Sequence, residues 1–145
     1  MTVANRGLVD RFYEFMGGDL VETISGEQMV GLGELLAGQV TEDFECRMVG
    51  PVAAERYAGL AGFARAWRDW VSPYTSFFID LEQVRDAGDA VLVAVRQRGV
   101  TRHGGVAIEN SAGSVWRFNG GLLQRVEFFL DRDAAFEAVG LEAGT

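Results

Sequence analysis

The 145 residues make about one domain's length of chain, and at that size a single core buries roughly two-thirds of the surface that the unfolded chain exposes. Thirteen Lys and Arg against 21 Asp and Glu give a formal charge of −8, the wrong sign for a surface that neutralises phosphates or anionic lipid, so neither nucleic acid nor membrane is expected as a partner. With 48% hydrophobic residues, 23% charged and two prolines, the chain carries enough apolar area to offset its ordering entropy, which excludes disorder.

In chain order, Leu8, Val9, Phe12, Phe15 and Met16 recur at the spacing of one helix face, and Gly17-Gly18 end the run; this predicts a first helix. Ser25 stands at capping-box spacing from Gln28 and opens a second helix through Met29, Leu32, Leu35 and Leu36, weakened by Gly31 and Gly33 and ended at Gly38. Phe44, Cys46 and Met48 alternate with Glu45 and Arg47, predicting a strand with one buried face that stops at Gly50-Pro51. Helical spacing returns with Leu60, Phe63, Ala64, Trp67, Trp70 and Val71, and Ser72-Pro73 stops it, because a residue before proline avoids the helical region.

Four strand-like segments follow, about 75–85, 90–102, 106–118 and 122–130, separated by Gly-, Asn- and Asp-bearing breaks at 86–89, 103–105 and 119–121. Asp131 is placed to cap a short last helix containing Phe136 and Val139, with Gly140 and Leu141 set for a Schellman ending. The order α, α, β, α, four-stranded antiparallel meander, α predicts a single α+β domain over 1–145, a curved sheet wrapped around the first and third helices to leave a cone. One cysteine, Cys46, and one histidine, His103, cannot supply a zinc site, and no cofactor is expected. No stretch approaches the ~18 apolar residues of a membrane span, and the N-terminal residues lack a leader pattern, so the expected location is cytoplasmic.

Tyr57-Ala58-Gly59-Leu60-Ala61-Gly62-Phe63 resembles the Y-x-G-x-x-G helix start of the nuclear transport factor 2-like superfamily. Trp116 to Gly121 and Glu127 to Asp131 resemble its last hairpin, and Asp131, Ala134, Ala135, Ala138, Gly140 and Leu141 resemble the ending of its SnoaL-like branch. The likeness spans about 5–140 and implies the cone-shaped α+β roll of that superfamily, but not a chemistry, since the fold hosts isomerases, epoxide hydrolases, polyketide cyclases and proteins that only bind. The isomerase acid, base and tyrosine positions fall here on Ser114, Met48 and Phe12. The hydrolase positions fall on Val95, Gln97, Phe128, Cys46 and Met48, of which only Gln97 can orient a water. A one-residue slip would bring in Arg96, Arg98, Glu127 and Arg47, but would expose the Val91, Val93, Val95 and Val126, Phe128, Leu130 rows.

Phe12, Met16, Phe44, Met48, Phe63, Trp67, Val95, Trp116 and Phe128 read either as the lining of an apolar ligand pocket or as a filled core. Gln97, Asn110 and Ser114 join them on the inner face, where they orient a ligand or satisfy one another, and Tyr57 and Tyr13 offer phenols near the mouth. His103 reads as a solvated hairpin tip, Cys46 as inert packing, and Asp43 and Asp131 as carboxylates near strand ends. Arg96, Arg98, Glu109, Arg117, Arg125 and Glu127 are expected on the outer face with Val115 and Phe129, a mixed patch that suits a homodimer contact. The expected function is a small-molecule pocket protein binding a hydrophobic or partly oxygenated metabolite. The alternatives are a cofactor-free isomerase, cyclase or hydrolase with a non-standard site, and a structural dimerisation module.

Overall fold

The computed structural model describes residues 3–25, 28–50 and 53–141. Three helices, α1 (Val3–Phe15), α2 (Leu20–Ser25) and α3 (Gln28–Leu36), precede β1 (Val40–Val49), β2 (Ala54–Ala58) and α4 (Gly59–Val71). The meander β3 (Tyr74–Ala87), β4 (Ala90–Thr101), β5 (Ala107–Asn119) and β6 (Leu122–Phe129) leads to α5 (Arg132–Ala138). All strands form one sheet in the order β2-β1-β6-β5-β4-β3, antiparallel between every pair of neighbours except β1 and β6, which run parallel.

Strand alternation sends Phe44, Cys46, Met48, Val91, Val93, Val95, Trp116, Val126 and Phe128 to one face, where α1 and α4 supply Leu8, Val9, Phe12, Phe63, Ala66 and Trp67 to a common core. On the opposite face Arg96 pairs with Glu109 at 2.8 Å and Arg98 with Asp80 at 2.7 Å. Glu127 accepts from Arg117 at 2.7 Å, and Glu45 gathers Arg47, Arg56 and Arg125. These charges therefore sit away from the core, as the alternation requires.

The expected second helix is two helices. Asp19 starts the first of them: its carboxylate accepts the N–H groups of Val21 and, across the fold, Phe77, both at 3.0 Å. Ser25 closes α2 instead of opening a helix, and its side chain, like Pro51, lies outside the described residues. β2 is an addition: only Tyr57 of its five residues is buried, so no apolar alternation marks it, and its pairing with β1 fixes it as a strand.

The Y-x-G-x-x-G segment has a steric basis. Gly59 turns the chain from β2 into α4 at φ +69°, where an L side chain is strained, and a Cβ on Gly62 would stand 2.8 Å from the Tyr57 carbonyl carbon.

α5 ends as expected. The Asp131 side chain accepts from the Asp133 N–H at 3.0 Å; Gly140 N–H reaches Glu137 O and Leu141 N–H reaches Phe136 O, the two bonds of a Schellman motif. The helix lies on the outer face of the sheet, its Ala135 and Phe136 covering Leu92, Ala94, Val115 and Phe129. The sequence-based expectation that Val115 and Phe129 are exposed is thus corrected: they are 0% and 7% exposed, because the chain's own last helix occupies that face. Arg132 anchors the helix by donating to the carbonyls of Val95 and Ala112 and to Glu82.

Candidate functional site

The candidate lining residues separate into three groups. Phe12, Phe44, Phe63, Trp67, Trp116 and Phe128 pack ring against ring inside the cone, with centroid distances such as 4.8 Å for Phe12–Trp116 and 4.9 Å for Trp67–Phe128. Met16 and Val95 are buried in the same cluster. The Trp67 indole N–H is buried there without a hydrogen-bond partner.

Ser114 belongs to a closed polar chain within this core. Its Oγ lies 2.7 Å from the Tyr13 hydroxyl and accepts from Trp116 Nε1 at 3.0 Å, so the serine satisfies its neighbours. Burial pushes the Tyr13 phenol from 10.0 up to about 12, against the smaller opposing effect of its hydrogen bonds. Between those pH values the unfolded chain gives up this proton while the folded chain keeps it. The stability Tyr13 contributes is complete below pH 10 and is lost as pH rises through the window, about 2–3 kcal/mol in all. Urea midpoints followed from about pH 9 to about pH 12 should therefore fall less steeply for Tyr13→Phe than for the native chain; equal slopes would count against this assignment.

The second group, Gln97 and Asn110, faces a cavity of about 710 Å³. Its origin lies in strand lengths. β6 pairs with β5 only from Gly113 onward, so residues 107–112 of β5, with the paired end of β4, overhang the ends of β1 and β6. The overhang contributes Gln97, Ile108 and Asn110 from one face as a floor and Ser111 from the other, so the cavity wraps the end of the sheet; Val49, Gly50, Phe129, Leu130 and Tyr74 also line it, with Asp131 and Ala134 from the start of α5. Gln97 and Asn110 are direct cross-strand partners. Asn110 donates through Nδ2 to the Leu130 carbonyl at 2.8 Å, holding the chain after β6 against the overhang. Gln97 is 5% exposed, and its amide makes no hydrogen bond with a described residue. The amide atoms open onto the cavity, where water reaches them. Burial also raises the Tyr74 phenol above its usual range.

The third group, Met48 and Tyr57, borders a smaller cleft of about 240 Å³ with Glu55, Asp69 and Trp70. The Tyr57 hydroxyl lies 2.9 Å from Glu55 Oε2 and 3.1 Å from Asp69 Oδ2. One phenol proton serves one carboxylate at a time, and the arrangement joins β2 to α4. Burial, followed by these two carboxylates, holds the Tyr57 phenol protonated far above its ordinary range.

His103 is exposed at the β4–β5 turn, where its carbonyl accepts from the Thr101 hydroxyl. Cys46 is a buried free thiol whose pKa is raised by burial and then by the charge of Glu45. Asp43 is exposed and takes hydrogen bonds from the Thr41 hydroxyl and the Gln124 amide, which lower its pKa. Among the described residues no group of three or more His, Cys, Asp and Glu converges as a metal site, and no helix is long and apolar enough to cross a membrane. Sequence reasoning missed Val49, Ile108, Ser111, Leu130 and Ala134 as cavity residues. The signal was a difference in strand length, which periodicity within one strand does not register.

The SnoaL-like domain family matches residues 9–126. The chain belongs to this family. As a SnoaL-like domain it has the nuclear transport factor 2-like fold, and solved structures share it at low identity. A proposed SnoaL-like polyketide cyclase from Jannaschia sp. CCS1 superposes with a TM-score of 0.67 at 15% identity, over 94% of this chain and 91% of that one. A nuclear transport factor 2-like protein from Burkholderia thailandensis gives a TM-score of 0.68 at 21% identity, over 91% and 93%. TerC, co-crystallised with polyporic acid, gives 0.54 at 18% identity, over 77% and 90%. No curated protein matches the sequence. At these identities the SnoaL-like relatives speak for the fold alone.

Proposed function

We propose that this SnoaL-like domain binds a small, largely apolar and partly oxygenated organic molecule in the cavity beside Gln97. The observation that carries the reading is the Gln97 amide, which lines a cavity of about 710 Å³ and hydrogen-bonds to no described residue. An occupant would exchange hydrogen bonds with that amide in place of water, while Val49, Ile108 and Leu130 offer apolar contact. That a protein of the same fold was crystallised with polyporic acid supports a small-molecule role.

Catalysis at the positions implied by the family resemblance draws little support. Phe12 and Met48 carry no proton to exchange, and the Ser114 hydroxyl is engaged with Tyr13 and Trp116. Asp131, the carboxylate lining the large cavity, uses one oxygen to cap α5.

The test uses N-phenyl-1-naphthylamine, an uncharged probe whose fluorescence rises in apolar surroundings. The native protein should take it up, and the Ile108→Trp variant, which places an indole on the face that carries Gln97 and Asn110, should bind it at least about tenfold more weakly by removing space. Equal uptake by both proteins, or none by the native one, would sink the reading.

A further inference from the structure

We infer that the cavity selects an uncharged ligand carrying a carbonyl and an N–H or O–H donor side by side, as in a carboxamide or a lactam. This rests on the binding reading above and adds the chemical class. A primary amide presents an N–H donor and a carbonyl acceptor on one edge, and Gln97 holds both unused in the cavity floor. Its cross-strand partner Asn110 spends an N–H on Leu130 O, which leaves its carbonyl oxygen as a further acceptor. Asn110 keeps its second N–H as well, so the paired amides offer both donors and acceptors, and a ligand with acceptors alone leaves the Gln97 oxygen without a ligand partner.

Charge points the same way. Among the described residues no Lys, Arg or His lines the cavity, and its one carboxylate is Asp131. The nearby guanidinium groups are committed elsewhere: Arg132 to the carbonyls of Val95 and Ala112 and to Glu82, Arg102 to the carbonyls of Ser72 and Tyr74. An anionic ligand would lose its hydration and find no cation in return.

Three probes on one frame separate the possibilities: 2-naphthamide has donor and acceptor, 2-acetonaphthone has the acceptor alone, and 2-naphthoate is anionic. Titration calorimetry on the native chain should place the amide about tenfold tighter than the ketone, the value of one hydrogen bond that otherwise goes unmade. The carboxylate should bind weakest, by about a hundredfold relative to the amide. Gln97→Leu should abolish the preference for amide over ketone, weakening the amide more than the ketone, and in the native chain the Gln97 side-chain N–H resonances should shift only with the amide and ketone. Binding of the carboxylate as tight as the amide, or an amide preference that survives Gln97→Leu, would overturn the assigned class while leaving the pocket reading in place. Failure of all three probes to bind the native chain would overturn both.

Discussion

Trp67→Ala is expected to cost about 3–5 kcal/mol of folding stability, the range for removing a large buried aromatic, and so to take much of what a domain of this size has. Trp67 is 1% exposed and touches Phe128 and Phe12 at the centre of the cone, where the surrounding rings are braced by one another and have little room to collapse. It does not line the large cavity, so the fraction that stays folded should bind cavity probes as the native chain does. Trp67→Phe should cost distinctly less. It loses area but also removes an indole N–H that is buried without a partner, a group whose stranding costs about 1–3 kcal/mol. Urea unfolding of the two variants checks both points. A Trp67→Ala loss below about 1 kcal/mol would show that the rings do not pack as described.

Gly113→Val should lift α5 from the sheet. A Cβ at Gly113 would lie 2.8 Å from the Ala135 Cβ and 3.2 Å from the Val93 carbonyl oxygen, and neither is the free end of a flexible side chain. The helix has to move outward, at a cost of about 1–3 kcal/mol for overpacking. Two further effects follow from what α5 covers. Leu92, Val115 and Phe129 become accessible, which should promote association through a newly apolar face, and Ala134 withdraws from the cavity wall. Hydrogen exchange should show lost protection over residues 132–138, with light scattering reporting the association. Full protection of α5 in the variant would mean that the strand, and not the helix, gives way.

The expected elements that carry a regular apolar period are present: Phe44, Cys46 and Met48 mark β1, and Leu60, Phe63, Trp67 and Val71 mark α4. α2 escaped because its signal is the Asp19 to Glu22 capping spacing, with only six residues behind it, and β2 because its single buried side chain has no period. The division of the candidate site has a different cause. Alternation assigns a side chain to a face, and it did so consistently for Val95 and Gln97 against Arg96 and Arg98. Whether a face is filled or hollow depends on what other elements bring to it. Phe12 from α1 and Trp67 from α4 fill the cone opposite Trp116, whereas among the described helices only the start of α5 borders the cavity beside Gln97. The fate of Phe129 and Val115 likewise turned on α5 folding back across the sheet, a long-range choice that the composition of a seven-residue helix does not announce.

The parallel pairing of β1 with β6, which sets Cys46 opposite Val126, fixes an order of events during synthesis. Every element between those strands is a crossover that must be complete before the pair can form. At ribosomal speeds of about 5–20 residues per second, the chain from β1 to β6 takes on the order of ten seconds to emerge. Throughout that interval one edge of β1 has no native partner, and the core face of Phe44, Cys46 and Met48 lacks the Phe128 ring that will complete it. Commitment to the native topology is therefore deferred to the last strand, and nascent chains halted short of residue 122 present an open, apolar strand edge to whatever chaperone or neighbouring chain meets them first.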